Sequence, residues 1–234
     1  MSDLDGTLLS PGGTFSKKAA RRINDLIERG LNFTIATARN YDSAYPLLKE
    51  LNLRIPVILF NGVYLTDFHS GKNILPGHFL DDDIVDRLIL TAVSKGLDPF
   101  IYTYGQKHNV YYRNISNEGS QAYFQYVSGD GRLRNVNEYI FPESENISGL
   151  LLIDTFPVLE PVYQEFLEKH PSALNIYFAE DMSNREYYWL QVFHHRANKG
   201  NMVAHLADHL GMDLSEVVVF GDFINDLEMF EIAG

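Results

Sequence analysis

The sequence predicts an α/β fold: a Rossmann-like core with a parallel, doubly wound sheet, interrupted by an inserted α+β lobe. Three observations predict it. Residues 1–70 alternate apolar strand patterns with helical patterns, which is the rhythm of a parallel sheet flanked by helices. Residues 71–193 instead place pairs of strand patterns between helices, as antiparallel sheets do. The parallel rhythm then returns over residues 194–234.

The first core section reads strand, helix, strand, helix, strand. Ser16 is a residue type that caps helix N-termini, and Gly30 is the type that follows helix C-termini. Asn61-Gly62 is a turn signal after the third strand. The predicted elements are the end of a strand at residues 1–5, a helix at 16–30, a strand at 31–37, a helix at 42–51 and a strand at 56–60.

The inserted lobe and the second core section follow from the same periodicities. In the lobe, the predicted elements are helices near 82–95, 118–127 and 159–167, and strands near 100–104, 110–113, 150–153, 175–179 and 187–193. In the second core section they are a helix at 202–211, an apolar strand at 217–220 and a helix from 225 onward.

Composition narrows the possible functions of the chain. Its 234 residues include no cysteine, which excludes disulfides, thiolate zinc sites and a cysteine nucleophile. The formal net charge of −12 and the absence of a basic patch argue against nucleic-acid binding. With no signal-peptide pattern and no apolar run long enough to span a bilayer, we expect a cytoplasmic protein without a membrane partner. The sequence does not indicate the oligomeric state.

Four polar clusters fall at core strand ends or helix starts, where open α/β sheets bind their ligands. The first is Asp3-Leu4-Asp5-Gly6-Thr7-Leu8-Leu9, whose two carboxylates at i and i+2 leave a strand on the same side. One carboxylate can act as a nucleophile and the other as a proton donor. A plain polar turn after a strand is the alternative interpretation.

The second and third clusters carry a hydroxyl and an ammonium group. Ala36-Thr37-Ala38-Arg39-Asn40 closes a strand before a helix, which suits either a phosphate site or a threonine N-cap. Asn198-Lys199-Gly200 opens a helix, where a lysine opposes the helix dipole unless an anion compensates. A lysine exposed to solvent is the alternative for Lys199.

The fourth cluster, Gly221-Asp222-Phe223-Ile224-Asn225-Asp226, crowds two carboxylates and an amide into one strand-to-helix turn. Oxygen ligands of this kind suit a hard cation, although a capped polar turn is again possible. Taken in order, the four clusters resemble the four motifs of the haloacid dehalogenase superfamily. The inserted lobe and the Asn61-Gly62 turn are similar to its Cof-type sugar phosphatase branch.

The resemblance implies a Mg²⁺-dependent phosphatase that acts on small phosphorylated metabolites through an aspartyl-phosphate. Asp3 is then the nucleophile, and Asp5 is the acid and base. Asp3, the backbone carbonyl of Asp5, and Asp222 are the implied metal ligands, with Asp226 behind them. The implied phosphate- and substrate-binding groups are Thr37, Lys199, Asn225 and the backbone amides of Leu4 and Ala38. Neighbouring carboxylates are expected to keep Asp5 protonated for its role as an acid.

The same resemblance makes the inserted lobe a cap that touches the substrate away from its phosphate. Its many tyrosines (Tyr102, Tyr104, Tyr111, Tyr112, Tyr123, Tyr126, Tyr187 and Tyr188) are expected mainly to pack. The chain departs from the family pattern in having Ala38 where glycine is usual. Because Met1-Ser2 directly precede Asp3 and the chain stops at Gly234, we also expect native sequence to be missing at both ends.

Three alternatives remain open from the sequence. A sugar phosphomutase or phosphotransferase would share Asp3 and Asp5 but pass the phosphoryl group to another sugar. A non-catalytic protein that binds phosphometabolites has no need of Asp5. A phospho-accepting receiver-like module also uses Asp, Mg²⁺, Thr and Lys, but it is about half this length and has no inserted lobe.

Overall fold

The computed structural model of the chain describes residues 1–234, with the exception of the side chain of residue 130. It divides into two compact units: Met1–His78 with Arg196–Gly234, and Phe79–His195. The sequence placed these boundaries after residue 70 and before residue 194. The stretch after residue 70 belongs to the first unit because the N–H groups of Ile74 and His78 donate to the carbonyls of Leu65 (2.7 Å) and Val63 (3.1 Å).

The helices follow the predicted order. The strands predicted at 1–5, 31–37 and 217–220 are extended segments joined by isolated bridges, and the short strands Tyr64–Thr66 and Leu133–Asn135 were not predicted. The helices are α1 (Lys17–Glu28), α2 (Tyr41–Leu48), α3 (Asp82–Ser94), α4 (Glu118–Val127), α5 (Phe156–Lys169), α6 (Lys199–Leu210) and α7 (Leu227–Ile232). The strands are β1 (Val57–Leu59), β2 (Tyr64–Thr66), β3 (Phe100–Tyr104), β4 (His108–Tyr112), β5 (Leu133–Asn135), β6 (Asn146–Asp154), β7 (Leu174–Glu180) and β8 (Tyr188–His194). Within the described residues, no helix combines the length and apolar character needed to cross a membrane.

The first unit is built on parallel extended segments. Parallel bridges join Ala36 to Ile58 in β1, Ser2 to Ile35, and Ser2 to Phe220. The segments therefore lie side by side in the order third, second, first, fourth along the chain, which is the order of a doubly wound nucleotide-binding half. This arrangement confirms the predicted α/β class with a parallel core. The carboxyl ends of all four segments point to the same edge.

Helix α1 shows how local sequence sets the core elements. The side chain of Ser16 accepts from the N–H groups of Lys18 (3.2 Å) and Ala19 (3.4 Å), so the predicted N-cap is confirmed. The helix ends at Glu28, and Gly30 has a φ of +100°, as expected of a C′ glycine. Apolar side chains of α6, α7 and the parallel segments then form one buried cluster, which includes Ala36, Ile58, Met202, Val203 and Met229.

The second unit carries a six-stranded sheet in the order β5-β4-β3-β6-β8-β7. Every pairing is antiparallel except that of β4 with β5, so the prediction of a mostly antiparallel lobe is confirmed. Strand β5 was not predicted, because its polar sequence Leu-Arg-Asn lacks a strand pattern and its pairing depends on β4. Helices α3 and α5 bury apolar side chains against one face of this sheet, among them Leu88, Leu159 and Phe166.

Most of the tyrosines of this unit pack, as expected. The hydroxyl groups of Tyr102 and Tyr123 lie 2.7 Å apart, and both side chains are buried. The ring of Tyr123 also packs edge-on against Phe100 and Trp189. Tyr126 is the most exposed of these tyrosines, with 65% of its surface open to solvent.

Candidate active site

The first cluster lies at the carboxyl edge of the parallel segments. The N–H of Asp3 donates to the carbonyl of Phe220 at 2.8 Å. This hydrogen bond joins the first segment to the fourth at the point where each segment enters its turn. The turn Leu4–Leu8 follows, with Gly6 at a φ of +79°. A Cβ at Gly6 would lie 2.0 Å from Oδ2 of Asp222, so only glycine allows the two loops to approach this closely.

Lys199 is the first residue of α6 and is completely buried. The side chain of Asn198 caps this helix by accepting from the N–H of Asn201 at 2.7 Å. Lys199 Nζ lies 2.6 Å from Oδ1 of Asp3 and 2.6 Å from Oδ1 of Asp226. The alternative of a lysine in solvent is therefore wrong, because this ammonium group is held between two carboxylates.

Asp226 organises the fourth cluster as well as pairing with Lys199. Its Oδ2 accepts from the N–H groups of Asp222 and Phe223, both at 3.0 Å, and the side chain is fully buried. Both carboxylate oxygens thus have donors within the protein. Asp222 in turn accepts from the hydroxyl of Thr7 at 2.7 Å, which joins the fourth cluster to the first.

Three carboxylates converge closely enough to hold a cation. One oxygen each from Asp3, Asp222 and Asp226 can be chosen so that all lie within 4.8 Å of one another. Hard oxygen donors of this kind suit Mg²⁺, and three carboxylates near a single ammonium group leave negative charge to be balanced. The donor set therefore fits the metal that the sequence implied. Because Asp226 already uses both oxygens, Asp3 and Asp222 are the better placed ligands.

Burial changes the chemistry of Asp3. Only 5% of the residue is exposed, and this desolvation raises the pKa of its carboxyl group to about 6. The ammonium group of Lys199 acts in the opposite direction and lowers that pKa, while the charge of Asp226 raises it. Asp3 thus binds a proton more tightly than an ordinary aspartate until a cation is added beside it.

Asp5 points toward a cation rather than toward the carboxylate cluster. Arg39 Nε donates to its Oδ2 and Nη2 donates to its Oδ1, both at 2.7 Å, in the two-pronged geometry that suits guanidinium and carboxylate. The Asp5 side chain is about half exposed and that of Arg39 is 19% exposed. The sequence led us to expect other carboxylates beside Asp5, whereas both of its oxygens accept from Arg39. In the sequence, Arg39 is visible only as the residue two positions after Thr37.

Thr37 is fully buried at the carboxyl end of the second segment. Its N–H donates to the carbonyl of Ile58, and its Oγ1 accepts from the N–H of Arg39 at 3.1 Å. It does not cap α2, because Asn40 does so by accepting from the N–H of Ser43 at 3.1 Å. This removes the helix-cap alternative for Thr37. The phosphate-binding roles of Thr37 and of the amides of Leu4 and Ala38 stay predictions.

Asn225 reaches a residue that the sequence treated only as a turn signal. Its Nδ2 donates to Oδ1 of Asn61 at 2.8 Å. Asn61 is itself buried. The structure therefore joins Asp3, Lys199, Asp222 and Asp226 directly, and connects Asn225 to the turn after β1. Asn61 and Arg39 are the residues whose place in the site sequence reasoning missed.

All residues of the chain, 1–234, match the family of haloacid dehalogenase-like hydrolases. The chain belongs to this family. The predicted family and the predicted enzyme class, a phosphatase of the haloacid dehalogenase type, are thereby confirmed, since phosphatases recur among its named relatives.

Two such relatives have specific names. A 5-amino-6-(5-phospho-D-ribitylamino)uracil phosphatase of Bacillus subtilis is 25% identical, with 99% of this chain and 82% of that protein covered. An HMP-PP phosphatase of Serratia proteamaculans is 26% identical, with 99% of this chain and 80% of that protein covered.

Solved structures share the fold. A haloacid dehalogenase-like hydrolase from Bacteroides thetaiotaomicron superimposes with a TM-score of 0.79 at 23% identity, covering 100% of this chain and 84% of that one. A Thermotoga maritima protein gives a TM-score of 0.74 at 24% identity, covering 100% and 82%. These likenesses confirm the fold class.

Proposed function

We propose that this hydrolase is a Mg²⁺-dependent phosphatase that removes the phosphoryl group from small phosphorylated metabolites by way of an aspartyl-phosphate on Asp3. One observation carries the proposal: the buried Lys199 ammonium group lies 2.6 Å from the carboxylate of Asp3, within the same cluster that brings Asp222 near. Phosphoryl transfer depends chiefly on positioning and on neutralising charge, and this cluster supplies both.

The residues divide the work as follows. An oxygen of Asp3 attacks phosphorus, and the bond from phosphorus to the leaving oxygen breaks. Asp5 gives a proton to that oxygen and then takes one from the water that hydrolyses the aspartyl-phosphate. Lys199 and Thr37 bind the phosphoryl oxygens. Mg²⁺, held by Asp3, Asp222 and the carbonyl of Asp5, would neutralise negative charge on the phosphoryl group.

Asp226 takes no part in bond making; its role is to position Lys199 and Asp222. It fixes Lys199 through Oδ1 and the Asp222 turn through Oδ2, so the ammonium group and the metal ligand are set by one buried side chain. Preorganised charge of this kind costs no rearrangement when the reaction occurs. Asp5, by contrast, is held by Arg39 at the rim of the cluster, where an exposed carboxyl group can exchange protons with water.

The substrate class rests on the relatives. The two phosphatases described above act on a phosphorylated ribitylaminouracil and on HMP-PP, according to their names. We extend to this chain only the shared class, a small phosphorylated metabolite. That the second unit decides between such substrates stays a prediction.

The test is hydrolysis of p-nitrophenyl phosphate with Mg²⁺, with EDTA, and with the Asp3→Asn variant in parallel. We expect release that requires the metal and is lost in the variant, with inorganic phosphate equal to p-nitrophenol. Less phosphate than p-nitrophenol would instead show transfer to another acceptor, as in a phosphotransferase. No release by folded protein that still binds phosphate would show a non-catalytic binding protein.

A further inference from the structure

Asn61 occupies a strained position directly after β1. Both Phe60 and Asn61 have a φ of +52°, a left-handed conformation that non-glycine residues rarely adopt. Asparagine tolerates it better than most residue types. Consecutive residues of this kind persist only where the surroundings fix them, and such positions cluster at ligand sites.

The surroundings of Asn61 are three of the four polar clusters. Its N–H donates to the carbonyl of Thr37 at 3.1 Å, and its Oδ1 accepts from Nδ2 of Asn225 at 2.8 Å. At the next residue, Gly62, a Cβ would lie 2.2 Å from the carbonyl oxygen of Asn198, the residue that caps the helix beginning with Lys199. The turn is therefore packed between the segments that carry Thr37, Asn225 and Lys199.

The amide nitrogen of Asn61 stands out within this arrangement. Only 1% of the residue is exposed, yet among the described residues its Nδ2 has no hydrogen-bond partner. A buried donor without an acceptor loses its hydration and gains nothing in return. Native proteins keep such groups where a ligand or a bound water supplies the acceptor.

We propose that Nδ2 of Asn61 donates a hydrogen bond to a phosphoryl oxygen of the substrate, which makes Asn61 a further phosphate-binding residue. This inference rests on the proposed function, because that function assigns the phosphoryl oxygens to Thr37 and Lys199. The missing acceptor is then an oxygen that arrives with the substrate. Oδ1 of Asn61 meanwhile holds Asn225, so one amide serves both as a ligand group and as a support.

Two substitutions remove the donor, and each keeps something that the other loses. Asn61→Asp keeps the shape, the tolerance for positive φ and the oxygen that accepts from Asn225, but it replaces the donor by a charged oxygen. Asn61→Gly keeps the backbone conformation and deletes the donor without adding charge, but it also deletes the oxygen that accepts from Asn225. Asn32→Asp is the matched control, because Asn32 is an exposed residue at the amino end of the second segment in the same unit.

The readout is the affinity for inorganic phosphate in the presence of Mg²⁺, measured by calorimetry, which needs no turnover. Circular dichroism and thermal unfolding show whether each variant is folded. We expect both Asn61 variants to bind phosphate about tenfold or more weakly than the wild type, as loss of a hydrogen bond to a charged group predicts. The Asn32→Asp control should match the wild type.

The outcomes are distinct. Unchanged phosphate affinity in either folded Asn61 variant would overturn the inference. If Asn61→Asp binds normally, the partner of Nδ2 is a water molecule rather than the phosphate. If only Asn61→Gly binds normally, the loss in Asn61→Asp is due to charge repulsion alone. A wild-type protein that binds phosphate with Mg²⁺ but never hydrolyses an ester would overturn the proposed function. In that case the affinities of the two variants would still decide the role of Asn61.

Discussion

Lys199 Nζ lies 2.6 Å from Oδ1 of Asp226, and neither side chain is exposed to solvent. Taking both charges out of water is costly, and the cost is met only while the pair stays together. The same ammonium group also reaches Asp3, so the helix α6 and the fourth cluster are fixed to the predicted nucleophile through one lysine. We therefore expect stability and activity to depend on the same contacts.

Replacing Lys199 should lower the stability of the fold as well as the activity, and the loss of stability can be measured directly. Lys199→Met leaves Asp3 and Asp226 buried without their shared cation, and breaking buried pairs of this kind costs about 3–5 kcal/mol. Urea unfolding measures the loss in free energy of unfolding. The control is Lys169→Met, which removes a solvent-screened ion pair with Glu165 within α5, and Glu165 keeps Lys95 as a partner, so the loss should be much smaller. Equal stability of the two variants would contradict the account of the buried pair.

Changing Asp222, which we propose as a metal ligand, should change the Mg²⁺ concentration that activity requires. In Asp222→Asn one anionic oxygen of the cluster becomes neutral, so we expect the Mg²⁺ concentration for half-maximal activity to rise roughly 10- to 100-fold or more. Titration of the activity with Mg²⁺ checks this expectation. Asp208→Asn removes an exposed charge from α6 and serves as the control. The same Mg²⁺ requirement in both variants would mean that Asp222 is not a ligand.

Binding of Mg²⁺ should release protons in a defined pH range. Because burial raises the pKa of Asp3 to about 6, the metal-free carboxyl group is largely protonated below pH 6, and a cation must displace that proton. We expect Mg²⁺ affinity to fall as the pH drops from 7 to 5. Calorimetry in buffers of different ionisation heat measures the protons released, and this release should disappear in Asp3→Asn.

Without metal, the raised pKa of Asp3 should make the folded protein less stable as the pH rises, whereas Mg²⁺ affinity should increase with pH. The folded-state pKa of Asp3 lies above its unfolded value near 3.8, so the folded protein binds more protons between about pH 4 and pH 6. The contribution of Asp3 to stability therefore falls as the pH rises through this window. Urea unfolding with EDTA across the window, compared with Asp3→Asn, tests the sign. A contribution that rises with pH would contradict the prediction.

The pair of Arg39 with Asp5 can be tested by a double-mutant cycle. Asp5→Asn should lower kcat by roughly 10²–10⁴-fold, as loss of a general acid and base does. Arg39→Met frees the half-exposed Asp5 carboxylate to rotate, so we expect a smaller loss of kcat. If Arg39 acts through Asp5, the loss should vanish in the Asp5→Asn background. Additive losses would mean that Arg39 acts separately from Asp5.

Much of the candidate site could be predicted because its residues lie at the carboxyl ends of the core segments. Asp3, Thr37 and Asp222 each follow an apolar core segment, and parallel segments bring their carboxyl ends to one edge. Spacing along the chain was therefore enough to place Asp3 and Asp222 together. The Ser16 cap was equally visible, because it depends only on neighbouring residues.

What the sequence did not show depends on contacts between distant elements. Arg39 and Asp5 are 34 positions apart, and Asn225 and Asn61 are 164 positions apart. Neither pair has a local pattern, so Asn61 was interpreted only as part of a turn. The short strand β5 was missed for the same reason, since its polar residues join the sheet through β4 rather than through a pattern of their own.

The most direct test of the central claim is to find the phosphoryl group on Asp3. The enzyme is mixed with substrate and Mg²⁺, quenched in acid, reduced with borohydride to trap any acyl phosphate, and digested with trypsin for tandem mass spectrometry. We predict that the modified residue is Asp3, in the tryptic peptide that contains Asp3 and ends at Lys17, and that the modification is absent in Asp3→Asn. Modification at Asp5, or rapid turnover with no modification at Asp3, would contradict the account.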